Sequence, residues 1–520
     1  MRASTGGASV LLLAGVATLS LAAAPTVGPQ QRVDANGGTA AANETTAAAS
    51  AVDPDTIIGA WNDWRPSTQT QEIIRCGVTV STDGGATWND FVLRPPAPNQ
   101  SGVEGDPMTA TDPRTGVVWA GAISFAGNGG IYVARMNPGD GFFQPSVMVD
   151  LDQGQGLDKC WMVAGRNHLT ADSTRLYVGY NKGLARSDDM GDTWTNPVSL
   201  GQGLGFLPRI GPNGEVYVAY WDYTTEAMRV KRSLDGGTSF TTHLVALRMD
   251  TWGVETFNTR FPGTFRAPAL LGLAVHPVNG TLYAVWPDTT DFSQPGGHAN
   301  VDVYFSKSTN QGTSWSTPAI LNDEGPFVGD QFFPWIETDP ANGRLNVVLL
   351  DTRNTDQVDN TTHGMIDSYF AYSEDDGATW TELRLTPQPW DSDDDGLNRP
   401  SQFIGDYLGM AVTADLAWPL YPDSQNGDTD TYTNRVDFCA EIDEIENLTL
   451  GRSGSTLSFY WNDTPAAVDY VVYQDLSAQG GFLVPIGTST SGVTGLTIPM
   501  PFGNRYYLVA GRNGCGTGPK

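Results

Sequence analysis

The sequence predicts an all-β chain, a β-propeller followed by a small immunoglobulin-like β-sandwich. Three observations predict it. One octapeptide recurs five times, a short apolar strand ending in a polar residue recurs seven times, and the rhythm changes at about Phe438. The composition agrees: 60 Gly and 33 Pro in 520 residues punctuate many short strands, and 15 Trp, 18 Tyr and 20 Phe supply core.

The octapeptide is Ser81-Thr82-Asp83-Gly84-Gly85-Ala86-Thr87-Trp88. It returns at Ser187–Trp194 and Ser373–Trp380, with looser copies at Ser233–Phe240 and Ser308–Trp315. In the pattern S-x-D-x-G-x-T-W, Asp or Asn folds onto nearby backbone N–H groups and Gly supplies a positive φ, which makes a tight turn between strands. The closing Trp returns to the core as a large apolar anchor. These Asp residues are therefore structural.

The apolar strands are Ile57–Asp63, Val117–Gly121, Leu176–Asn181, Val216–Asp222, Leu282–Asp288, Leu345–Asp351 and Leu416–Asp423. They mark units of roughly 45–65 residues, the size of one four-stranded blade. Seven blades are expected, with six as the alternative if one unit is a decorated insertion. The unit around Ile131–Phe143 and the final unit lack the octapeptide. The final unit also lacks an outer strand, and the segment Gln30–Val33 is placed to supply it and close the ring. From about Phe438, the stretches Leu448–Leu450, Leu457–Trp461, Tyr470–Tyr473 and Tyr506–Val509 alternate as half-buried strands. The expected organisation is thus 1–24 signal peptide, 25–437 propeller and 438–520 sandwich.

The export expectation rests on Arg2, the apolar run Val10–Leu21 and the small residues Ala22-Ala23-Ala24. The run is too short to span a bilayer comfortably, and no later stretch reaches the ~20 apolar residues needed. A secreted protein with no membrane insertion is expected. The formal net charge of −29 repels nucleic acid and anionic membranes, so neither is an expected partner. Of four cysteines, Cys439 and Cys515 bracket the C-terminal segment and are expected to pair, which an oxidising compartment permits. Cys76 and Cys160 can pair or stay free.

The octapeptide resembles the Asp box, or BNR repeat, of the sialidase-like superfamily, over roughly residues 50–437. The stretches Gly156–Trp161 and Ile404–Gly409 also resemble those of secreted bacterial sialidase-like glycosyl hydrolases, and the spacing of Trp461, Tyr470 and Tyr507 resembles a fibronectin type III module. The superfamily resemblance implies a propeller that binds or processes carbohydrate. In true sialidases an arginine triad clamps the sialate carboxylate, and a Tyr activated by a Glu replaces the usual nucleophilic carboxylate. The first arginine stands in a Phe-Arg-Ile-Pro motif ahead of the first Asp box. Here Phe265-Arg266-Ala267-Pro268 is close to that motif but follows three octapeptides.

On this likeness Tyr407 is the nucleophile-like candidate, and Asp406, Arg266 and Arg353 complete the catalytic candidates. The bland alternatives are an inner-strand cap for Arg266, a buried structural role for Tyr407, and a repeated Asp–Arg ion pair for Arg353. The last follows from the parallel contexts Asp63-Trp64-Arg65 and Asp351-Thr352-Arg353. Asp63, Asp222, Asp288, Asp351 and Asp423 all end the same strand of their units, which makes them turn caps or a partial acidic ring. Asp391, Asp393 and Asp395, in a D-x-D-x-D-G run, are candidate ligands for Ca²⁺, although the twelfth position is Gln402 rather than Glu. With five His and no HExxH, nucleophile elbow or phosphate loop, zinc and His-based chemistry have little to work with. The expected partner is a carbohydrate or glycoprotein, and the expected state a monomer. The function is either that of an exo-sialidase-like glycoside hydrolase or that of a non-catalytic extracellular binding propeller.

Overall fold

A computed structural model describes residues 25–517 except 36–37, 68–72, 95–102, 126–128, 153, 155, 250–264, 292–299, 323–328, 355–364, 398, 400–401, 439–444, 446, 464–466, 468, 478–483, 490–492, 500–504 and 514–515. The expected signal peptide, Cys439 and Cys515 lie outside the described residues. The chain divides into two compact units, Thr26–Asp437 and one that holds Phe438–Lys520. No helix occurs among the described residues.

The larger unit is a succession of seven antiparallel sheets among the described residues. Sheet 1 is Ala42–Ala49, Ile57–Asp63, Arg75–Ser81 and Asn89–Val92. Sheet 2 is Gly105–Thr111, Val118–Ser124, Gly130–Met136 and Val147–Leu151. Sheet 3 is Trp161–Arg166, Thr174–Tyr180 and Gly183–Ser187, and sheet 4 is Leu204–Ile210, Val216–Asp222, Ala227–Ser233 and Thr241–Leu247. Sheet 5 is Gly272–Val275, Leu282–Asp291, Asn300–Ser308 and Ala319–Ile320. Sheet 6 is Gln331–Thr338, Leu345–Asp351, Met365–Ser373 and Thr381–Arg384, with Trp390–Asp391 added to its third strand. The apolar strands read from the sequence are the second strands of these sheets, buried on both faces.

Sheet 7 is Gly409–Thr413, Leu416–Asp423, Asp430–Thr433 and Val436–Asp437, completed by Thr26–Val27 and Gln31–Arg32 from the chain start. Gln31 pairs with Thr433 and Arg32 with Tyr432. The first strand of each sheet touches that of the next, and the first strand of sheet 7 touches that of sheet 1. The sheets therefore form a closed ring whose axis is lined by first strands, a β-propeller. Apolar clusters lie between neighbouring sheets. Ile58, Val78, Tyr132 and Met136 join sheets 1 and 2, and Trp119, Val133, Leu176 and Tyr180 join sheets 2 and 3. Val33, Trp61 and Leu420 join the ends of the ring.

The five octapeptides share one geometry. In the first, Ser81 Oγ donates to Asp83 Oδ1 at 2.8 Å and receives the Gly85 N–H at 2.9 Å. Asp83 also accepts the Thr87 N–H at 2.8 Å and the Thr87 hydroxyl at 2.6 Å. The two central residues are left-handed in every copy: Gly84-Gly85, Met190-Gly191, Gly236-Gly237, Gln311-Gly312 and Asp376-Gly377. Trp194 and Trp380 then pack, half-buried, against the inter-sheet cores.

The smaller unit contains two sheets. One is Thr449–Ser453, Thr456–Tyr460 and Gly495–Pro499. The other runs in the order Val484–Ser489, Asp469–Asp475, Tyr506–Asn513, Gly516–Thr517. Phe459, Trp461, Tyr470, Val472 and Val509 form its core, with Trp461 edge-on to Tyr470 at 5.4 Å.

Candidate active site

The first strands carry an unusual device at one end. Pairing with the second strand slips by a bulge between Asn43 and Thr46, between Gly105 and Met108, between Leu204 and Leu207, and between Phe332 and Trp335. The first bulged residue is left-handed each time: Glu44, Asp106, Gly205 and Phe333. Lys159 and Gly405 are left-handed just ahead of the first strands of sheets 3 and 7. Glycine is the natural occupant of such a position. At Gly405 it is also required sterically, since a Cβ would stand 2.6 Å from the Glu44 nitrogen. Glu44, Asp106 and Lys159 hold the same conformation with charged side chains, and strain of this kind collects at functional sites.

These left-handed positions turn the side chains toward one another. Lys159 Nζ lies 3.1 Å from Glu44 Oε1, 3.3 Å from Asp106 Oδ1 and 2.6 Å from Asp406 Oδ2. Asp406 is also held by a two-pronged pair from Arg266, with Nε donating to Oδ1 at 2.6 Å and the terminal nitrogen to Oδ2 at 2.5 Å. Asn62 ties the cluster to sheet 1, donating to Glu44 Oε2 at 2.7 Å and accepting the Asp106 N–H at 3.1 Å. Asp158 accepts the Lys159 N–H at 3.0 Å, and its own N–H donates to Asn181 Oδ1 at 3.1 Å. Lys159, Glu44, Asp106 and Asp406 are buried, while Asp158 and Arg266 are part-exposed and form the solvent side of the cluster.

Four carboxyl groups face two cations, so full ionisation would leave a buried excess of negative charge. The electrostatics resolve it by driving the carboxyls apart. Burial, reinforced by the Asp106 charge, raises Asp158 to about 7. Burial likewise pushes Glu44 well above the usual carboxylate range, against the pull of Lys159. For Asp106 and Asp406 the burial effect is overcome, chiefly by Lys159 and for Asp406 also by Arg266, and both sit below that range. Burial would lower the Lys159 ammonium, but Asp106, Asp406, Glu44 and Asp158 together raise it. The raised proton affinities of Glu44 and Asp158 thus work against the buried excess of negative charge beside the two cations. Such a pairing of a proton-bearing acid with ionised carboxylates is the raw material of acid–base catalysis.

Of the sequence candidates, the structure brings Arg266, Asp406 and Tyr407 together. Tyr407 is fully packed, edge-on to Trp161 at 5.4 Å, and its hydroxyl donates to the Pro107 carbonyl at 3.2 Å. Burial and the surrounding carboxylates raise its phenol, opposite to what a phenolate nucleophile needs. Arg353 stands elsewhere: it pairs with Asp351 Oδ2 at 2.7 Å and with Glu382 at 2.8 Å. Arg65 repeats that arrangement in sheet 1 with Asp63 at 2.6 Å and Asp90 at 3.0 Å. The strand-end carboxylates cap their own turns, with the amides of Arg65, Thr224, Arg353 and Gln425 donating to Asp63, Asp222, Asp351 and Asp423.

In the acidic loop, Asp391 accepts the Asp393 N–H at 2.9 Å, and Asp395 accepts those of Leu397 and Phe403, each at 2.8 Å. Among the described residues no group of three or more His, Cys, Asp or Glu is arranged to hold a metal ion. Cys76 and Cys160 are buried free thiols, Cys160 donating to the Asp106 carbonyl at 3.0 Å. Glu44, Asp106, Asp158, Lys159 and Asn62 were not singled out by sequence reasoning. The available signal was a charged residue in or just ahead of the first strand of sheets 7, 1, 2 and 3, as in Gly405-Asp406, Asn43-Glu44, Gly105-Asp106 and Asp158-Lys159.

No protein-family model matches the chain, and no curated protein matches it significantly. Among solved structures it is similar to a Penicillium chrysogenum alpha-L-arabinanase complexed with arabinobiose, at 13% identity over 80% of this chain and 99% of the other, TM-score 0.44. It is also similar to the GH93 alpha-L-arabinofuranosidase of Fusarium graminearum, at 14% identity over 79% and 98%, TM-score 0.41. A third is the intramolecular trans-sialidase from Ruminococcus gnavus, at 14% identity over 75% and 94%, TM-score 0.37.

Proposed function

We propose that this chain is a secreted seven-bladed Asp-box propeller with a C-terminal fibronectin type III-like module, and that it cleaves a glycosidic bond at the Lys159 cluster. One observation carries the activity: at one end of the ring axis, left-handed turns in and ahead of the first strands gather carboxyls whose proton affinities are driven apart. In glycoside hydrolysis one carboxylic acid protonates the leaving oxygen, while an ionised carboxylate activates water or attacks the sugar. Asp158, part-exposed and proton-bearing near neutrality, suits the acid. Asp406 and Asp106, ionised and held by Lys159, suit the second role. The strand order of the smaller unit, three strands against four, supports the fibronectin-like reading.

A sialidase mechanism has less support, because Tyr407 is packed away and Arg266 already neutralises Asp406. That same neutralisation favours the second reading, a binding propeller in which the cluster only locks the axis. The test is hydrolysis of a panel of fluorogenic glycosides, arabinosides and a sialoside included, by the protein and by Asp158→Asn, with Ca²⁺ or a chelator added in parallel. Turnover of a neutral glycoside that the variant lacks is expected. Its kcat/KM should fall above about pH 7, as Asp158 loses the proton it donates. Silence on every substrate, or full activity in Asp158→Asn, overturns the catalytic reading.

A further inference from the structure

Several large apolar side chains are exposed among the described residues, which is ordinary for a surface. Phe125 differs by its position. It leaves the end of the second strand of sheet 2, beside Gly105, and 58% of it is exposed. Its backbone N–H donates to Glu104 Oε2, and Glu104 is itself held by Arg75 at 3.3 Å. Its ring lies over the Gly105 backbone, 2.8 Å from where a Cβ would stand, and Asn62 Oδ1 is 3.4 Å from the same point. Gly105 precedes Asp106, and Asn62 is the donor to Glu44. An anchored aromatic face thus stands in solvent beside Gly105 and Asn62, which adjoin the cluster's Asp106 and Glu44.

We propose that Phe125 is the platform on which a sugar ring of the substrate stacks, so that this site takes a neutral glycan with an apolar C–H face. A sugar ring presents such a face together with hydroxyl groups, and sites that join one aromatic surface to a few convergent polar groups match that chemistry. The cluster argues for neutrality, because its two cations, Arg266 and Lys159, are already paired with Asp406, Glu44 and Asp106 rather than turned to an acidic sugar. The placing of the scissile bond rests on the glycosidase reading; the stacking itself does not.

The test is affinity electrophoresis of the full chain through gels containing linear arabinan, xylan or sialylated mucin, run beside the hydrolysis assay. The variants are Phe125→Ala, Phe125→Leu, Phe125→Trp, Asp158→Asn and, as a control of equal exposure on another loop, Phe142→Ala; Tm is recorded for each. Retardation by a neutral polysaccharide is expected. It should weaken roughly tenfold or more, about 1.4 kcal/mol, in the Ala and Leu variants, and persist in Phe125→Trp and Phe142→Ala. Binding by Phe125→Ala and Phe125→Leu equal to that of the parent overturns the proposal, and loss of turnover in Asp158→Asn would then leave the glycosidase reading standing. Phe125-dependent binding with no turnover keeps the platform and removes the glycosidase. Failure to bind either neutral polysaccharide, or retardation by mucin alone, overturns the proposal.

Discussion

At the scale of the residue, Lys159 is the element on which the axis depends. It is buried in a left-handed conformation and contacts three carboxylates from sheets 1 and 2 and the loop ahead of sheet 7. Removing one partner of a buried ion cluster leaves uncompensated charge, which costs about 3–5 kcal/mol. Lys159→Met should therefore lower stability by that order in urea unfolding at pH 8. The loss should be smaller at pH 5. Without Lys159 the carboxyls rise in proton affinity, so the folded variant binds protons more tightly than the unfolded chain and is stabilised as pH falls. An equal loss at both pH values would mean that the cluster is held by packing rather than by charge.

The octapeptides act at the scale of the element, those of sheets 3 to 6 latching each sheet to the one before. The penultimate residue of the third strand in sheets 2 to 5 is basic: Arg135, Arg186, Arg232 and Lys307. Each donates to the carbonyl of the first left-handed residue in the next sheet's turn, namely Met190, Gly236, Gln311 and Asp376, at 2.8–3.3 Å. Sheets 1 and 6 have Val80 and Tyr372 there, and the sheets that follow them carry no octapeptide. Arg232 also donates to Thr313 at 3.1 Å. Arg232→Ala should cost about 1 kcal/mol in urea unfolding, more than Lys231→Ala, whose ammonium bonds Thr242 within its own sheet. Equal costs would reduce the latch to ordinary surface contact. Much of this level was legible beforehand, because turn chemistry is local: an Asp folded on its own loop and a Gly at positive φ leave a signature within eight residues. The second strands were legible for the same reason, as continuous apolar runs. The bulges were not. Nothing local marks Glu44, Asp106 or Lys159 as left-handed, since glycine, the usual sign, stands only at Gly205 and Gly405. Their meeting at the axis is a product of ring closure, which brings residue 44 to residues 159 and 406. Arg353 shows the converse: its Asp-Thr-Arg context repeats that of Arg65 because both serve the same local brace.

At the scale of the whole molecule, the ring is closed by its own N-terminal strands, and the closure is ionisable. The Gly28 N–H donates to the Arg435 carbonyl at 2.8 Å, and that of Val33 to Thr431 at 2.9 Å. Arg32 joins Asp34 at 2.9 Å to Asp430 at 2.5 Å, with Asp428 and Tyr432 beside them and Gln30 bound to Asp423. One guanidinium thus serves several buried carboxyls. Burial raises Asp34 to about 6 and, with the Asp34 charge added, Asp430 to about 7; Asp423 is raised by burial to about 6. In the unfolded chain an Asp titrates near ~3.9. Carboxyls raised on folding stabilise the fold fully below that value, and the contribution is lost as pH rises through about 6 to 7. The octapeptide aspartates Asp83, Asp189, Asp235 and Asp375 are lowered instead, so they are ionised in both states above pH 5 and add no slope there. Asp351, about 6, and Asp158 add to the same slope from elsewhere. The closure is therefore isolated by substitution: Tm should fall between pH 5 and pH 8, and Asp430→Asn, which keeps a partner for Arg32 without the charge, should flatten part of that fall and melt higher than the parent at pH 8. A variant that retains the whole slope would place the titrating groups away from the seam, and the ring would then owe its closure to strand pairing and to the packing of Val33, Trp61 and Leu420 alone.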